Sequence, residues 1–143
     1  MQGNIIIREF RREDFDEMMK MWIELGLGNP ERGDTLEVIQ NTLSSGGKLL
    51  IMENQDREII GSSWMTNDRR RIYLHHFGIR KKEQGKGLSK PLLEESIRFA
   101  REQKLQIKLE VHAENVPARK LYEKYGRSEE RRVGKECRYR WWQ

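Results

Sequence analysis

The sequence predicts an α/β domain of the α+β kind, a mixed and mostly antiparallel sheet flanked by helices with a βαβ unit at its centre. Three observations lead there. Strand-like runs rich in Ile and Leu are separated by short turn signals in "KLLIMENQDREIIGSSWMTNDRRRIYLHHFGI". Amphipathic helical patterns flank this block on both sides. A strand, a helix and a second strand then follow within about thirty residues, a spacing that implies a right-handed crossover and parallel pairing.

The elements follow in order. "NIIIREF" is a short β-branched run and reads as a strand. Phe15, Met18, Met19, Trp22 and Leu25 recur at helical spacing, with Asp14, Asp16, Glu17 and Glu24 between them, so one face of this helix packs on the sheet. "GLGNPERGD" has loop chemistry, and Asp34 with Glu37 three residues on resembles a capping box that opens a second helix through Leu43. "SSGG" ends that helix, and three strands follow as an antiparallel meander with the first. In the last of them strict alternation sends His75 and His76 to opposite faces. From Leu88 to about Gln103, Leu88, Leu92, Ile97 and Ala100 mark a helix whose opening turn accommodates Pro91. "QIKLEVHA" alternates Ile107, Leu109 and Val111 with polar residues, as a strand with one buried face does. A last helix runs through "ENVPARKLYEKYG", with Pro117 in its first turn and Gly126 at its stop.

At 143 residues the chain has the size of a single domain. It has no long apolar run of membrane-spanning length and no secretory leader at its start, so a cytoplasmic protein without membrane association is expected. One cysteine, Cys137, excludes an internal disulfide framework, and the scattered His75, His76 and His112 make no metal site. The net charge of +5 arises from 28 basic and 23 acidic residues that interleave, which argues against nucleic acid as a partner.

The strongest local feature is "QGKGLS", Gln84 to Ser89, between a strand and a helix. Glycines let a backbone approach a ligand closely, and the unpaired N–H groups of a helix start favour phosphate. A pyrophosphate site and a merely tight turn are the two readings open at this point. The surrounding order, "IYLHHFGI", "RKKEQGKGLSKPLLEESIRFA", "LEVHAEN" and "PARKLYEKYG", resembles the two central motifs of the GCN5-related N-acetyltransferase (GNAT) family, from about Ile72 to Gly126. The first motif of that family is Gln or Arg, two residues, Gly, one residue, then Gly or Ala; here it is Gln84, Gly87 and Ser89. Lys81 and Glu83 stand where the family often has Pro and an aromatic. Asn115, Ala118, Leu121, Tyr122 and Gly126 match the second motif.

The resemblance implies acetyl-CoA as cosubstrate, without a metal, and transfer to a primary amine by direct attack in a ternary complex. It implies that the backbone of Gln84, Gly85, Lys86, Gly87, Leu88 and Ser89 binds the coenzyme pyrophosphate. Phe77, Gly78 and Ile79 would pair with the pantetheine arm like an added strand, and Asn115 would contact that arm or cap its helix. Tyr122 occupies the general-acid position. Glu110, twelve residues before it, is the base candidate by similarity to the protein N-terminal acetyltransferase branch, with His75 as the runner-up. The acceptor amine belongs to a small molecule, a peptide N-terminus or a lysine, and a homodimer is compatible with the pattern. A coenzyme-binding module without catalysis is the alternative.

Residues 1–126 are thus expected to form the acetyltransferase domain. Residues 127–143 depart from the family pattern, because Arg127 to Arg132 has five charged residues in six. The run from Arg127 to Arg138 resembles translated sequencing-library adapter, a non-native tail. The final hairpin is therefore expected to be missing or replaced, with one edge of "QIKLEVHA" uncovered. The segment holds six Arg or Lys and three Asp or Glu, so the remainder carries a net charge of +2.

Overall fold

A computed structural model describes residues 4–28, 31, 33–112, 116–125, 129–133 and 136–141. Strands β1 (Ile6–Glu9), β2 (Lys48–Glu53), β3 (Ile59–Asn67), β4 (Arg71–Ile79), β5 (Gln106–His112), β6 (Glu129–Val133) and β7 (Glu136–Trp141) form one sheet in the order β1-β2-β3-β4-β5-β7-β6. Helices α1 (Phe15–Glu24), α2 (Leu36–Ser44), α3 (Ser89–Gln103) and α4 (Val116–Tyr125) connect the strands. β1 to β4 pair antiparallel and β4 to β5 parallel, as the sequence predicts for a meander that leads into a βαβ unit.

The meander turns where the sequence signals them. Asn54 Oδ1 accepts from the backbone N–H of Asp56 and Glu58, and Asp68 Oδ1 accepts from those of Arg70 and Arg71. These side chains do the turning that lets Arg57 and Arg69 take positive φ.

Two apolar layers hold the sheet. On one face Met18, Met21 and Trp22 of α1 and Ile39 of α2 pack with Leu49, Ile51, Ile59 and Trp64. On the other, Leu92, Leu93, Ile97 and Ala100 of α3 and Tyr122 of α4 pack with Leu50, Met52, Met65, Ile72, Leu74 and Ile107. Each leucine, isoleucine or methionine among them contributes about 1.5–3 kcal/mol on burial. A polar pair crosses the second layer, where the hydroxyls of Ser63 and Ser96 lie 2.7 Å apart and Ser96 also donates to the Leu92 carbonyl. At the start of the chain Arg8 grips Asp14 through two bonds, at 2.8 and 2.9 Å, and reaches Glu53 at 3.1 Å, which ties β1 to the turn before α1.

Three expectations are corrected. Thr35, not Asp34, caps α2, its hydroxyl accepting from the Val38 N–H at 3.3 Å; the Asp34 carboxylate is engaged elsewhere. His75 and His76 do not alternate, because β4 carries one extra residue: Ser62 pairs with Gly78 and Trp64 with His75, so His76 and Phe77 both stand opposite Ser63. His76 takes φ +47 at this bulge, and both histidine rings lie against Trp64. The final hairpin is present, with β7 pairing antiparallel to β5 from Ile107↔Trp141 to His112↔Glu136 and β6 outside it. Ladder bonds join backbone groups, which every residue here carries whatever its side-chain charge, and they cover the β5 edge.

Candidate active site

The parallel pairing of β4 with β5 is short. It joins Arg71, Ile72 and Tyr73 to Gln106, Ile107 and Lys108, while β4 continues to Ile79 and β5 to His112. Beyond Tyr73 the two strands part into a wedge. Phe77, Gly78 and Ile79 line its β4 side. Gly78 is closely packed: a Cβ there would lie 3.2 Å from Leu25 Cδ1 and 3.3 Å from Leu27 Cδ1, so these residues after α1 would have to give by a few tenths of an ångström to admit one.

The wedge runs toward the glycine loop. After Ile79, a single 3-10 turn over Lys81–Glu83 leads to Gln84, whose amide donates back to the Ile79 carbonyl at 2.8 Å and closes the loop on the strand end. Gly85 and Gly87 take φ +84 and +77, left-handed values that glycine adopts without strain, and open space lies where a Cβ would stand at either. Leu88 is buried and fixes the start of α3, yet its side chain offers no cap to the first N–H groups. Pro91 sits in that first turn, as expected. Lys86 is held by Glu83 at 2.8 Å, and exposed Lys90 adds positive charge at the helix start. Glycines with open space at their Cβ positions, the start of α3 and nearby lysines thus come together at segment 84–89, a combination that suits an anion.

Tyr122 is buried on α4, and its ring meets that of Phe77 edge-on with centroids 6.1 Å apart. The fold therefore brings the proposed acid beside the β4 bulge. His75 lies on the opposite face, its Nε2 2.9 Å from the Thr66 hydroxyl and its ring stacked with Tyr73. The backbone of Glu110 is on β5, opposite Arg138 of β7 and past the last residue that pairs with β4. Asn115 lies outside the described residues, as does Gly126.

A cluster that sequence reasoning missed sits under the bulge. His76 Nε2 lies 3.0 Å from Asp34 Oδ2. Its ring packs against Trp22 at 4.4 Å and Trp64 at 5.1 Å. The Trp22 indole donates to the Ser62 hydroxyl, which donates to the His76 carbonyl at 2.8 Å. Asp34 carries a signal, a carboxylate in a loop beside a helix start, but the same signal fits a helix cap. Among the described residues no group of three or more His, Cys, Asp or Glu could hold a metal ion, and no helix is long and apolar enough to cross a membrane.

This sheet, parted between β4 and β5, is that of known acetyltransferase structures. An acetyltransferase of the GNAT family from Staphylococcus aureus Mu50 superposes with a TM-score of 0.81 at 19% identity, over 96% of this chain and 98% of that one. The PaiA N-acetyltransferase of Thermoplasma acidophilum, solved in complex with coenzyme A, gives 0.77 at 19% identity over 98% and 99% of the two chains. A GNAT acetyltransferase from Elizabethkingia anophelis with acetyl-CoA bound gives 0.63 at 18% identity over 98% and 99%. The acetyltransferase (GNAT) domain family model matches residues 31–139, and the chain belongs to that family. No curated protein matches it in sequence.

Proposed function

We propose that this protein transfers the acetyl group of acetyl-CoA to a primary amine by direct attack in a ternary complex. The carrying observation is the wedge between β4 and β5, which opens past Tyr73 and ends at the left-handed glycines of the loop before α3. Parted strands leave backbone donors and acceptors that an amide-bearing pantetheine arm satisfies, and the loop suits the pyrophosphate. Phe77 to Ile79 and Gln84 to Ser89 are assigned these two tasks, and Asn115 a contact with the arm by family resemblance.

In the reaction the amine nitrogen forms a bond to the thioester carbonyl carbon and the C–S bond breaks. The thiolate takes the Tyr122 proton, and the amine gives its proton to a base on the rim of the wedge. A phenol keeps its proton at neutral pH and gives it to a developing thiolate within hydrogen-bond reach. Glu110 and His75 are the base candidates from sequence. A cytoplasmic location is part of this reading.

Calorimetric titration with acetyl-CoA, followed by a thiol-release assay on a panel of small amines, peptide N-termini and lysine peptides, tests the proposal. Saturable binding with release of free thiol in the presence of one acceptor class is expected. Binding without turnover on any acceptor would favour a coenzyme-binding module, and no binding would refute both.

A further inference from the structure

We infer that His76, oriented by Asp34, is the base that takes the proton of the acceptor amine, in place of His75 or Glu110; the inference rests on the acetyl-transfer reading above. Position is the first argument. The glycine loop follows the C-terminal end of β4, and the wedge closes at Tyr73. A coenzyme with its phosphates on the loop directs its thioester toward that closure, and His76 lies between the two. The bulge places consecutive residues on opposite faces, His76 against Trp22 and Phe77 against Tyr122. Base and acid thus flank the reacting carbon, with the acceptor entering from the α1 and α2 side and the thiolate protonated on the α4 side.

The second argument is the tautomer. An ionised carboxylate only accepts hydrogen bonds, so Asp34 at 3.0 Å keeps the imidazole proton on Nε2 and leaves the Nδ1 lone pair as the basic site. The Thr66 hydroxyl at His75 Nε2 is compatible with either tautomer of that ring, because a hydroxyl either donates or accepts.

The groups that touch the His76 ring among the described residues are Asp34 from the loop before α2, the uncharged Trp22 of α1 and Trp64 of β3; His75 is its titratable neighbour on β4. The proton balance closes: Nδ1 receives one proton from the attacking nitrogen and Tyr122 gives one to sulfur, and exchange with solvent restores both groups.

The test combines kinetics with nitrogen-15 NMR of the histidine rings in the full chain. His76→Gln is expected to lower kcat by about a hundredfold or more while acetyl-CoA affinity holds, and to abolish the acid limb of the pH profile. Asp34→Asn is expected to lower kcat less than His76→Gln does and to admit the Nδ1–H tautomer of His76, since an amide both donates and accepts hydrogen bonds. Wild-type His76 is expected as the Nε2–H tautomer, a readout that needs neither turnover nor a stable variant. The Nδ1–H tautomer, or a folded His76→Gln that keeps both turnover and acid limb, would overturn the inference alone. A wild-type protein that binds acetyl-CoA and acetylates nothing would overturn the functional reading, and the base with it.

Discussion

The Trp22 indole N–H donates to the Ser62 hydroxyl at 2.7 Å in a fully buried contact, and Ser62 passes the chain on to the His76 carbonyl. One serine thereby binds α1 to the bulge of β4. Ser62→Ala leaves the buried indole N–H without this partner, while the part-buried His76 carbonyl keeps access to solvent. It is expected to cost about 1–3 kcal/mol, the penalty for one stranded buried donor, read as a lower urea midpoint at unchanged slope.

Gly87 tests the loop by a different route. Valine at φ +77 is strained by about 1–2 kcal/mol, yet its Cβ has no protein atom within 4 Å. Gly87→Val is therefore expected to lower the melting temperature modestly and to weaken acetyl-CoA binding by about tenfold or more, roughly 1.4 kcal/mol. Equal affinity in the two proteins would show that the open space is not where the coenzyme lies.

Tyr122→Phe removes one oxygen and keeps the ring that packs on Phe77. Turnover is expected to fall about a hundredfold with acetyl-CoA affinity within error of wild type, as loss of a proton donor dictates. Unchanged kcat removes Tyr122 from the acid role.

Acid stability centres on Asp14. Burial alone would raise its pKa, but the hydrogen bonds from Arg8 and from the Arg11 N–H, with the charges of both arginines, outweigh burial and hold the carboxyl below its ordinary value. A carboxyl whose pKa is depressed by folding contributes stability that is present above its unfolded pKa and lost as pH falls through the folded one. Denaturation midpoints are expected to decline below about pH 4, and Asp14→Asn should make that decline shallower.

Much of this architecture was legible in the residues. The methionine and tryptophan stripe of α1, the Asx turns at Asn54 and Asp68 and the position of Pro91 all follow from local rules that the structure obeys. The hairpin was not, although Cys137, Tyr139 and Trp141 alternate with Arg138 and Arg140; the charge that precedes them in Arg127 to Arg132 hid a period of two. Nor was the bulge. An extra residue in a strand leaves no compositional trace, so His75 and His76 were assigned by alternation to opposite faces. Asp34 was misassigned for a related reason. A loop carboxylate before a helix satisfies the capping pattern, and only the tertiary fold shows that Thr35 caps while Asp34 reaches His76 across 42 positions of chain.

The extra residue in β4 acts as a phase change in the chain. Ahead of it even positions such as Ile72 and Leu74 enter the layer under α3; after it odd positions, Phe77 and Ile79, do so. Losing a single codon at His76 would restore plain alternation, with Phe77 and Ile79 still in their layer, and would remove the bulge together with the ring that packs on Trp22 and Trp64. Such a deletant should keep its circular dichroism and its protection against heat by acetyl-CoA, because the helices, the strands and the α3-side layer persist, while turnover is lost with His76.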